Sequence, residues 1–429
     1  MGNDSAQPPI AGARTDAPVV ARPEIVLGVG GGIAAYKSAE VLRRLAGLGA
    51  AVTVTPTAAA LRFVGVATFE ALSGRPVHTD VFSDVPSVAH VRTGQHADLV
   101  VVAPATADLL AKAAAGIADD MLTSTLLVTR APVLMVPAMH TEMWTHPATV
   151  ANVATLRSRG VVVLEPAVGR LTGPDSGPGR LPEPDQIAAV AELLLHRRDA
   201  LPFDLAGLRV VVSAGGTREA LDPVRFLSNR SSGKQGFALA QVAVARGAQV
   251  TLVAANVALP TPPGVTLRTV SDARDLHAAM LEESATADVM VMAAAVADFR
   301  PQTRQQHKIK KVAGGRDTAP ESIPLARNPD ILVDLVRRRR AGQTIVGFAA
   351  ETGDATTDYL AFAREKLARK GCDLLVVNLV GDDAAFEVDH NAAVVLAPGR
   401  EDAVAEIPTG PKAVVAAGVW DAVVALRAG

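Results

Sequence analysis

The chain has 429 residues, which is enough for two or three domains that each bury their own core. Apolar residues make up 49% of it, which suits buried α/β sheets, whereas aromatic residues make up only 3%. So few aromatic side chains exclude the stacking platforms of a lectin or a single-strand nucleic-acid binder. The formal net charge of −2 gives no electrostatic reason to bind nucleic acid or an anionic membrane.

The cysteine count and the N-terminal segment further narrow the classes of protein to which the chain could belong. The chain has one cysteine, Cys372, so neither an intramolecular disulfide nor a cysteine zinc cluster can form. Its apolar context, GCDLLVV, favours a small buried side chain over a nucleophile. No apolar run approaches the roughly 20 residues of a membrane helix, so no membrane partner is predicted. Residues 1–23 lack the apolar segment of a signal peptide, which predicts a disordered tail and a cytoplasmic protein.

The first structured segment, residues 25–57, is a β-branched strand, a glycine-rich turn, a helical stretch and a second strand. Such a βαβ unit predicts parallel strands joined by a right-handed crossover. Further strands are predicted, in chain order, at residues 99–102, 133–136 and 161–164. The alternation predicts a doubly wound parallel-sheet domain over 24–200, flavodoxin-like by the resemblance described below.

The connection over residues 169–184, GRLTGPDSGPGRLPEP, is packed with glycine and proline. It is too long for an ordinary connection between a strand and a helix, and we interpret it as a lid over a site. A helix over 184–198 then closes the first domain.

Residues 208–256 repeat the βαβ pattern and open a second doubly wound parallel-sheet domain, Rossmann-like, predicted over 201–429. Its later strands are predicted at 289–293, 344–348, 374–377 and 393–396. The basic run 337–340 follows an apolar helical stretch and is interpreted as a solvated helix end.

The turn GVGGGIAAY leaves a strand and enters a helix, so the backbone amides of Gly31, Gly32 and Ile33 would point at an anion. The third glycine of a dinucleotide fingerprint falls on Ile33, and Pro56 stands where an acid would hold a ribose. NAD is therefore disfavoured and a mononucleotide flavin phosphate remains. The alternative is a tight strand–helix turn without a ligand.

The second half has its own candidate anion site. In SNRSSGKQG, the residues Ser231, Ser232 and Gly233 can cap a helix and offer amides to a phosphate or carboxylate. The motif HKIKK adds a cluster of three lysines, Lys308, Lys310 and Lys311. This cluster is either a solvated face or the partner of a triphosphate. The residues alone thus indicate two anion-binding α/β domains, neither with a Walker A loop.

The motifs GGTREALDPVRFLSNRSSGKQG, AAAVADF, KIKK, NPDI, GFAAET and AREKLARKGCDLLVVN resemble, in order, a phosphopantothenate–cysteine ligase domain over 205–429. The motifs GGIAAYK, PATAD, PAMHTEMW and GPGR resemble a flavin-containing phosphopantothenoylcysteine decarboxylase domain over 24–182. Together they resemble the bifunctional bacterial enzymes of coenzyme A biosynthesis, of the actinobacterial type. The resemblance implies CTP-dependent ligation of phosphopantothenate with cysteine through an acyl-cytidylate. FMN-dependent decarboxylation of the product to phosphopantetheine would follow, with oxidation of the thiol to a thioaldehyde allowing carbon dioxide to leave.

For the ligase, the resemblance implies that Asn229 holds the acyl-cytidylate and that Lys308 stabilises developing charge. Arg225 would bind the substrate phosphate or carboxylate. The nucleotide contacts implied in the same way are Met292, Ala293, Ala294, Asp298, Asn328, Pro329, Asp330, Ile331, Phe348, Lys366 and Lys370. Mg²⁺ or Mn²⁺ would bridge the triphosphate, so few dedicated protein ligands are needed. Ala220 departs from the family, in which proline is common there.

For the decarboxylase, the resemblance implies that His90 is the catalytic base, since imidazole titrates near neutral pH. His140 stands where many relatives have the asparagine that holds the substrate carboxylate, and its imidazole can donate a hydrogen bond there. Met143 would contact the substrate. The flavin contacts implied by the same motifs are Gly31, Gly32, Ile33, Thr55 and Thr106.

Two further departures concern the flap and the flavin turn. Many relatives have a cysteine in the flap that protonates the enethiolate, whereas alignment on GPGR puts Gly173 there, beside Thr172 and near Asp175. The final proton must then come from another group or from water. Gly30 replaces a common serine, which keeps the amides of the turn but loses a hydroxyl.

Two alternatives remain open at this point. The ligase works beside an inert flavin-binding domain, or the chain is a non-catalytic flavin-binding regulatory subunit, as some relatives of the decarboxylase fold are. The resemblance also implies a homo-oligomer, in which trimers with the flavin near a subunit interface assemble into a dodecamer. No nucleic-acid partner is predicted, and the small-molecule partners are phosphopantothenate, cysteine and CTP.

Overall fold

The computed structural model describes residues 22–80, 88–171, 175–309, 312–313, 316–317, 322–351, 359–379 and 390–429. The predicted tail over 1–23 therefore lies almost wholly outside the described residues, as do Thr172, Gly173, Lys310 and Lys311. Within the described residues the two βαβ units of the sequence open two separate sheets. The predicted α/β fold class is confirmed.

The first sheet is parallel, with the strand order β2-β1-β3-β4-β5 in the described part of the chain. Its strands are β1 (Glu24–Val29), β2 (Ala51–Pro56), β3 (Leu99–Ala105), β4 (Val133–Pro137) and β5 (Val162–Val163). The chain leaves β1 toward β2 on one side and returns to β3 on the other. The strand order therefore reverses between β1 and β3, which is where flavodoxin-like sheets bind a mononucleotide.

Helices cover both faces of this sheet. They are α1 (Ser38–Gly47), α2 (Val66–Ser73), α3 (Ala89–His96), α4 (Ala107–Ala115), α5 (Met121–Val128), α6 (Thr141–Trp144), α7 (Pro147–Ser158) and α8 (Pro184–His196), with 3₁₀ turns at Ile33–Lys37 and Ala60–Arg62. The 3₁₀ turn after β1 follows the glycine-rich turn directly, so the predicted strand–turn–helix geometry is confirmed.

The segment interpreted as a lid contains an antiparallel hairpin, β6 (Ala167–Arg170) and β7 (Ser176–Arg180). Its second strand lies against the end of β4, because the backbone N–H of Met139 donates to the carbonyl of Gly179 at 3.0 Å. The hairpin therefore overhangs the carboxyl end of the first sheet.

The second sheet has the order β12-β11-β8-β13-β18-β19-β20-β21 among the described residues. Its strands are β8 (Arg209–Gly215), β11 (Gln249–Ala255), β12 (Val265–Val270), β13 (Val289–Met292), β18 (Thr344–Glu351), β19 (Leu374–Leu379), β20 (His390–Leu396) and β21 (Ala405–Pro411). Short hairpin strands beside it are β9 (Arg218–Ala220), β10 (Phe226–Ser228), β14 (Phe299–Pro301), β15 (Val312–Ala313), β16 (Arg316–Asp317) and β17 (Leu325–Arg327). Its helices are α9 (Lys234–Ala245), α10 (Ala273–Ser284), α11 (Ile331–Arg337), α12 (Tyr359–Lys370) and α13 (Lys412–Ala428).

This sheet is mixed, whereas the sequence pattern predicted parallel strands throughout. Strand β20 runs antiparallel to both β19 and β21. The cause is the length of the connection: β19 ends at Leu379 and β20 begins at His390, which leaves too little chain for a crossover of a dozen or more residues. The order again reverses in the parallel part of the sheet, between β8 and β13.

One hydrophobic cluster continues from the first half of the chain into the second. It contains residues of both sheets, and helix α8 bridges them, packing against α1 on one side and against α13 on the other. Beside it, the buried guanidinium of Arg246, 1% exposed, pairs with Asp204 and Asp421. A division at residues 200 and 201 stays a prediction, since the two halves share this core.

The basic run after α11 is only partly a solvated helix end. Arg339 pairs with Asp373, and Arg340 donates to the carbonyl of Ala287 at 2.5 Å. None of the helices in the described ranges is both long enough and apolar enough to cross a lipid bilayer.

Candidate active sites

A cavity of about 960 Å³ opens at the carboxyl ends of β1 and β3, where the order of the first sheet reverses. The segments that follow β1, β2, β3 and β4 all contribute to its wall, and the hairpin of β6 and β7 closes one side. The described residues thus place a ligand-sized cavity at the position where open α/β sheets bind their ligands.

The glycine-rich turn is shaped by two close approaches. A Cβ atom on Gly30 would lie 2.5 Å from the carbonyl oxygen of Pro104, and one on Gly31 would lie 2.2 Å from the Cβ of Ala59. Gly32 differs, because an added Cβ would meet nothing nearer than the Cγ2 of Thr106, at 3.7 Å. Gly32 thus leaves a cradle in the cavity wall that a side chain would fill. The turn and the cavity together fit a flavin mononucleotide.

The cavity wall carries cations and acids. The ammonium of Lys112 lies 3.0 Å from a carboxylate oxygen of Asp119 and 3.4 Å from one of Asp108, and the hydrogen bond that it donates to Asp119 raises its pKa. Lys37 and Arg180 line the same cavity, and both donate to one carboxylate outside its wall, that of Glu183. The wall therefore offers cationic groups to an anionic ligand.

Three of the five decarboxylase residues predicted beyond the turn line this cavity. His140 precedes α6, is 42% exposed and holds its Nδ1 3.7 Å from the Oε2 of Glu142. Met143 lies on α6 and also lines the cavity. Thr106 caps α4, its Oγ1 accepting from the backbone N–H of Leu109 at 3.3 Å, and it lines the same wall.

Thr55 does not contact the cavity. It lies inside β2 with a fully buried side chain, and its hydroxyl has no hydrogen-bond partner. Thr57, the residue that follows the end of β2, lines the cavity in its place. The sequence motif alone does not show where the strand ends, and this difference decides which threonine reaches the ligand.

His90 is not brought to this cavity within one chain. It lies on α3, which packs against α5, and its Nδ1 is buried without a hydrogen-bond partner. The mouth of the cavity is apolar and exposed: Ile33 is 68%, Tyr36 62% and Met143 48% exposed. Of the two histidines that the resemblance implies for the decarboxylase, the single chain therefore brings His140 to the cavity but not His90.

The ligase residues converge where the order of the second sheet reverses. After β8 and β13, Gly216 pairs with Ala295, and the Nδ2 of Asn229 donates to the carbonyl of Val296 at 3.0 Å. The chain beyond β17 joins the same edge, since the backbone N–H of Asn328 donates to the carbonyl of Asp298 at 2.8 Å. The chain segments that carry Asn229, Asp298 and Asn328 are thus brought together.

Arg225 is used within the protein. Its guanidinium bonds the buried carboxylate of Asp222 at 2.6 and 2.9 Å and donates to the carbonyl of Ile309 at 2.7 Å. Burial opposes ionisation of Asp222, but bonds from the backbone of Val224, the guanidinium and the backbone of Ile309 hold the pKa of its carboxyl well below the ordinary value. Asp222 therefore holds Arg225 in place, and the Arg225 side chain remains 47% exposed.

The Asp222 carboxylate also bonds the chain beside Lys308. It accepts from the backbone N–H of Ile309 at 3.1 Å, next to the exposed Lys308 in the chain. Sequence reasoning missed this role, although the spacing of Asp222 and Arg225 in LDPVR places an acid and a base three residues apart. That spacing signals only the pairing of Asp222 with Arg225, whereas no local pattern signals the bond to Ile309, 87 residues away.

The remaining predicted nucleotide contacts fall into three groups. Met292 and Ile331 are 6% and 3% exposed and belong to the hydrophobic core, so their side chains do not face a ligand. Asp330 caps α11 and forms an ion pair with Lys370 of α12. The other residues are partly buried or exposed at the same edge of the sheet: Ala293, Ala294, Pro329, Phe348 and Lys366.

Comparison with known proteins gives two family matches that together span most of the chain. Residues 19–195 match the Flavoprotein family, and residues 205–426 match the DNA/pantothenate metabolism flavoprotein C-terminal domain. The coenzyme A biosynthesis bifunctional protein CoaBC of Mycolicibacterium smegmatis is 60% identical over 412 residues, which cover 94% of this chain and 98% of that protein. The chain belongs to the family of bifunctional coenzyme A biosynthesis proteins.

Other members of this bifunctional family are similar. CoaBC of Mycobacterium tuberculosis strain H37Rv is 60% identical over 413 residues, covering 95% of this chain and 97% of that protein. A solved C-terminal domain of a CoaBC is 34% identical, with a TM-score of 0.42, and the match covers 52% of this chain and 97% of that one.

Membership gives the chain two enzymatic activities, a phosphopantothenate–cysteine ligase and a phosphopantothenoylcysteine decarboxylase, which perform two successive steps of coenzyme A biosynthesis. The enzyme acts on small molecules and is a flavoprotein. The alternative that the chain is a non-catalytic flavin-binding regulatory subunit is therefore not favoured.

Proposed function

We propose that the ligase reaction takes place at the β8–β13 crevice and uses CTP. Phosphopantothenate attacks the α-phosphate of CTP and releases pyrophosphate, and the cysteine amine then displaces CMP from the acyl-cytidylate. The observation that carries this proposal is the convergence of Asn229, Asp298 and Asn328 at the point where the strand order reverses. The exposed Lys308, on the segment tethered by Asp222, supplies positive charge where the phosphates react.

The metal of this reaction is proposed to be Mg²⁺ or Mn²⁺, bound through the triphosphate. Among the described residues, no group of three or more His, Cys, Asp or Glu side chains is arranged to hold a metal ion. Mg²⁺ commonly keeps several waters and binds substrate phosphates with one or two carboxylates, which suits a site of this kind.

The decarboxylase reaction is proposed to take place in the 960 Å³ cavity with FMN as the flavin. Gly31, Gly32, Ile33 and Thr106 would hold the flavin, and His140 would donate a hydrogen bond to the substrate carboxylate. When bound, the flavin supplies the reversible oxidation of the substrate thiol that makes loss of carbon dioxide feasible. The protein binds and orients the substrate beside it and excludes bulk water.

We propose that a neighbouring copy of the chain supplies His90. Its Nδ1 is buried and unpartnered, and the apolar rim formed by Ile33, Tyr36 and Met143 is exposed at the cavity mouth. A trimer that covers this rim would bring a second chain to each cavity, and trimers joined through the ligase halves would give a dodecamer.

A cytoplasmic location completes the proposal, because a reducing compartment keeps the substrate thiol free.

The test is mass spectrometry of the products formed by purified protein from phosphopantothenate, cysteine and Mg²⁺, with CTP or ATP. Phosphopantetheine formed with CTP supports both site assignments. Phosphopantothenoylcysteine that accumulates despite a full flavin content would show an inert flavin half. Equal turnover with ATP would overturn the choice of CTP.

A further inference from the structure

Two cations of the decarboxylase cavity share one carboxylate. The Nζ of Lys37 lies 3.3 Å from both the Oε1 and the Oε2 of Glu183, and the Nη2 of Arg180 lies 3.3 Å from the Oε1. Lys37 and Arg180 line the cavity, whereas Glu183 does not. The carboxylate therefore stands behind the wall and holds both cations from outside.

This arrangement affects position more than stability. The side chain of Glu183 is 50% exposed, and ion pairs in such surroundings contribute little to the free energy of folding. Lys37 and Arg180, however, are long side chains of like charge that would move apart or turn to solvent without a shared partner. An anionic ligand would then have to order both of them when it binds.

Glu183 is itself held by the second half of the chain. Its backbone N–H donates to the Oε1 of Gln186 at 3.2 Å, in the first turn of α8. The Nε2 of Gln186 donates to the carbonyl of Thr261 at 2.9 Å, and the backbone carbonyl of Gln186 accepts from the Nε2 of Gln241 at 3.2 Å. A continuous set of bonds thus leads from the ligase half to the cavity wall.

We propose that Glu183 is a positioning residue of the decarboxylase. It holds Lys37 and Arg180 at the cavity wall so that both cations meet an anionic group of phosphopantothenoylcysteine, its phosphate or its carboxylate. This inference rests on the proposed placement of the decarboxylase reaction in that cavity.

The experiment compares Glu183→Gln with the native enzyme, with its flavin bound. The amide keeps the size of the side chain and loses the charge, so we expect the KM for phosphopantothenoylcysteine to rise about tenfold with kcat within about twofold, because a charge-assisted contact is weakened in the binding step. Glu183→Asp should recover part of the loss. The flavin content and the ligase rate should stay at the native level.

The matched control is Asp185→Asn, two residues along the chain. Asp185 pairs with Arg44 at 2.9 Å, is 75% exposed and does not line the cavity. Its variant should keep the native KM. An unchanged KM in Glu183→Gln would overturn the proposal, and so would an equal rise in both variants, since a general weakening of α8 would then explain it. Loss of flavin affinity with an unchanged KM would also overturn it, because the cations would then serve the cofactor.

A third variant separates this inference from the assignment of the cavity. Gly32 has an extended backbone, φ −156°, that any residue adopts, so Gly32→Leu should project a side chain into the cavity without backbone strain. Gly65→Leu is its control, with φ −72° and nothing within 4 Å of an added Cβ. Decarboxylation that survives Gly32→Leu would refute the cavity as the site. Decarboxylation lost there but unaffected in Glu183→Gln would refute the role of Glu183 alone.

Discussion

The two crevices of this enzyme follow one topological rule and are built differently. Each lies where the strand order of a sheet reverses, between β1 and β3 in the flavin half and between β8 and β13 in the ligase half. The flavin crevice is a formed cavity of about 960 Å³ whose glycine turn leaves open space at Gly32. Polar side chains bond within the protein in both crevices, Lys37 to Glu183 in the first and Asn229 to Val296 in the second.

The difference corresponds to the ligands that each half binds. A resident cofactor suits a pocket that is shaped before the ligand arrives. Substrates that enter and leave at every turnover suit polar groups whose bonds within the protein are exchanged for bonds to the ligand. Topology therefore determines where each site lies, and the loops determine how far each is preformed.

The largest effect is expected from variants that test whether the flavin crevice is complete within one chain. His90→Asn should lower decarboxylation by about 10³-fold, as for the loss of a general base, and leave the ligase rate unchanged. His140→Ala should also lose decarboxylation. If the site is shared between copies, co-expression of the two variants should restore part of the activity, because some mixed assemblies contain one intact site. Assays of the co-purified, differently tagged chains measure this, and no recovery would contradict a shared site.

The next effect concerns the ligase crevice. Lys308→Gln should lower amide formation by about 10²-fold, because it removes a positive charge from the site where the phosphates react. Flavin absorbance and decarboxylation of added phosphopantothenoylcysteine should be native. Release of pyrophosphate and formation of product report the change separately. A native ligase rate would remove Lys308 from the mechanism.

A moderate effect is expected at Asp222, which accepts a hydrogen bond from the backbone of Ile309, the residue after Lys308. Asp222→Asn should lower the ligase kcat/KM by about tenfold, since a misplaced catalytic group costs rate even where it is still present. Because the folded-state pKa of Asp222 is depressed, its ionised form stabilises the fold fully above about pH 4. That stabilisation is lost as the pH falls toward the folded-state pKa. Thermal unfolding of both proteins should differ at pH 7 and converge in acid, and a constant difference would contradict the depressed pKa.

The smallest effect is expected at Cys372, the one cysteine of the sequence. Burial raises the pKa of its thiol to about 11, and it packs in the core of the ligase half. Cys372→Ala should therefore leave both activities within about twofold, with a modest loss of stability of about 1 kcal/mol. Native protein should resist thiol reagents at pH 8 until it unfolds. Loss of decarboxylation in this variant would show that the reaction uses a cysteine after all.

Several elements follow directly from local sequence. The alternation of strands and helices, the glycine turn after β1 and the helix after residue 183 were all predicted within a few residues, because hydrophobic period, glycine and proline act over short distances. The motifs also predicted the groups that meet at each switch point, Gly31 and His140 in one half and Asn229 and Asp298 in the other.

Contacts between distant parts of the chain were decided by the tertiary structure. The shared carboxylate of Glu183 lies 146 residues from Lys37, and no local pattern connects them. The internal partner of Arg225 and the burial of Thr55 likewise depend on how neighbouring segments pack. The position of His90 outside the cavity has the same cause, since α3 packs where the sheet and α5 leave room. Sequence by itself determined the elements and the chemistry they carry. Only the packing of those elements decided which side chains face a ligand and which face one another.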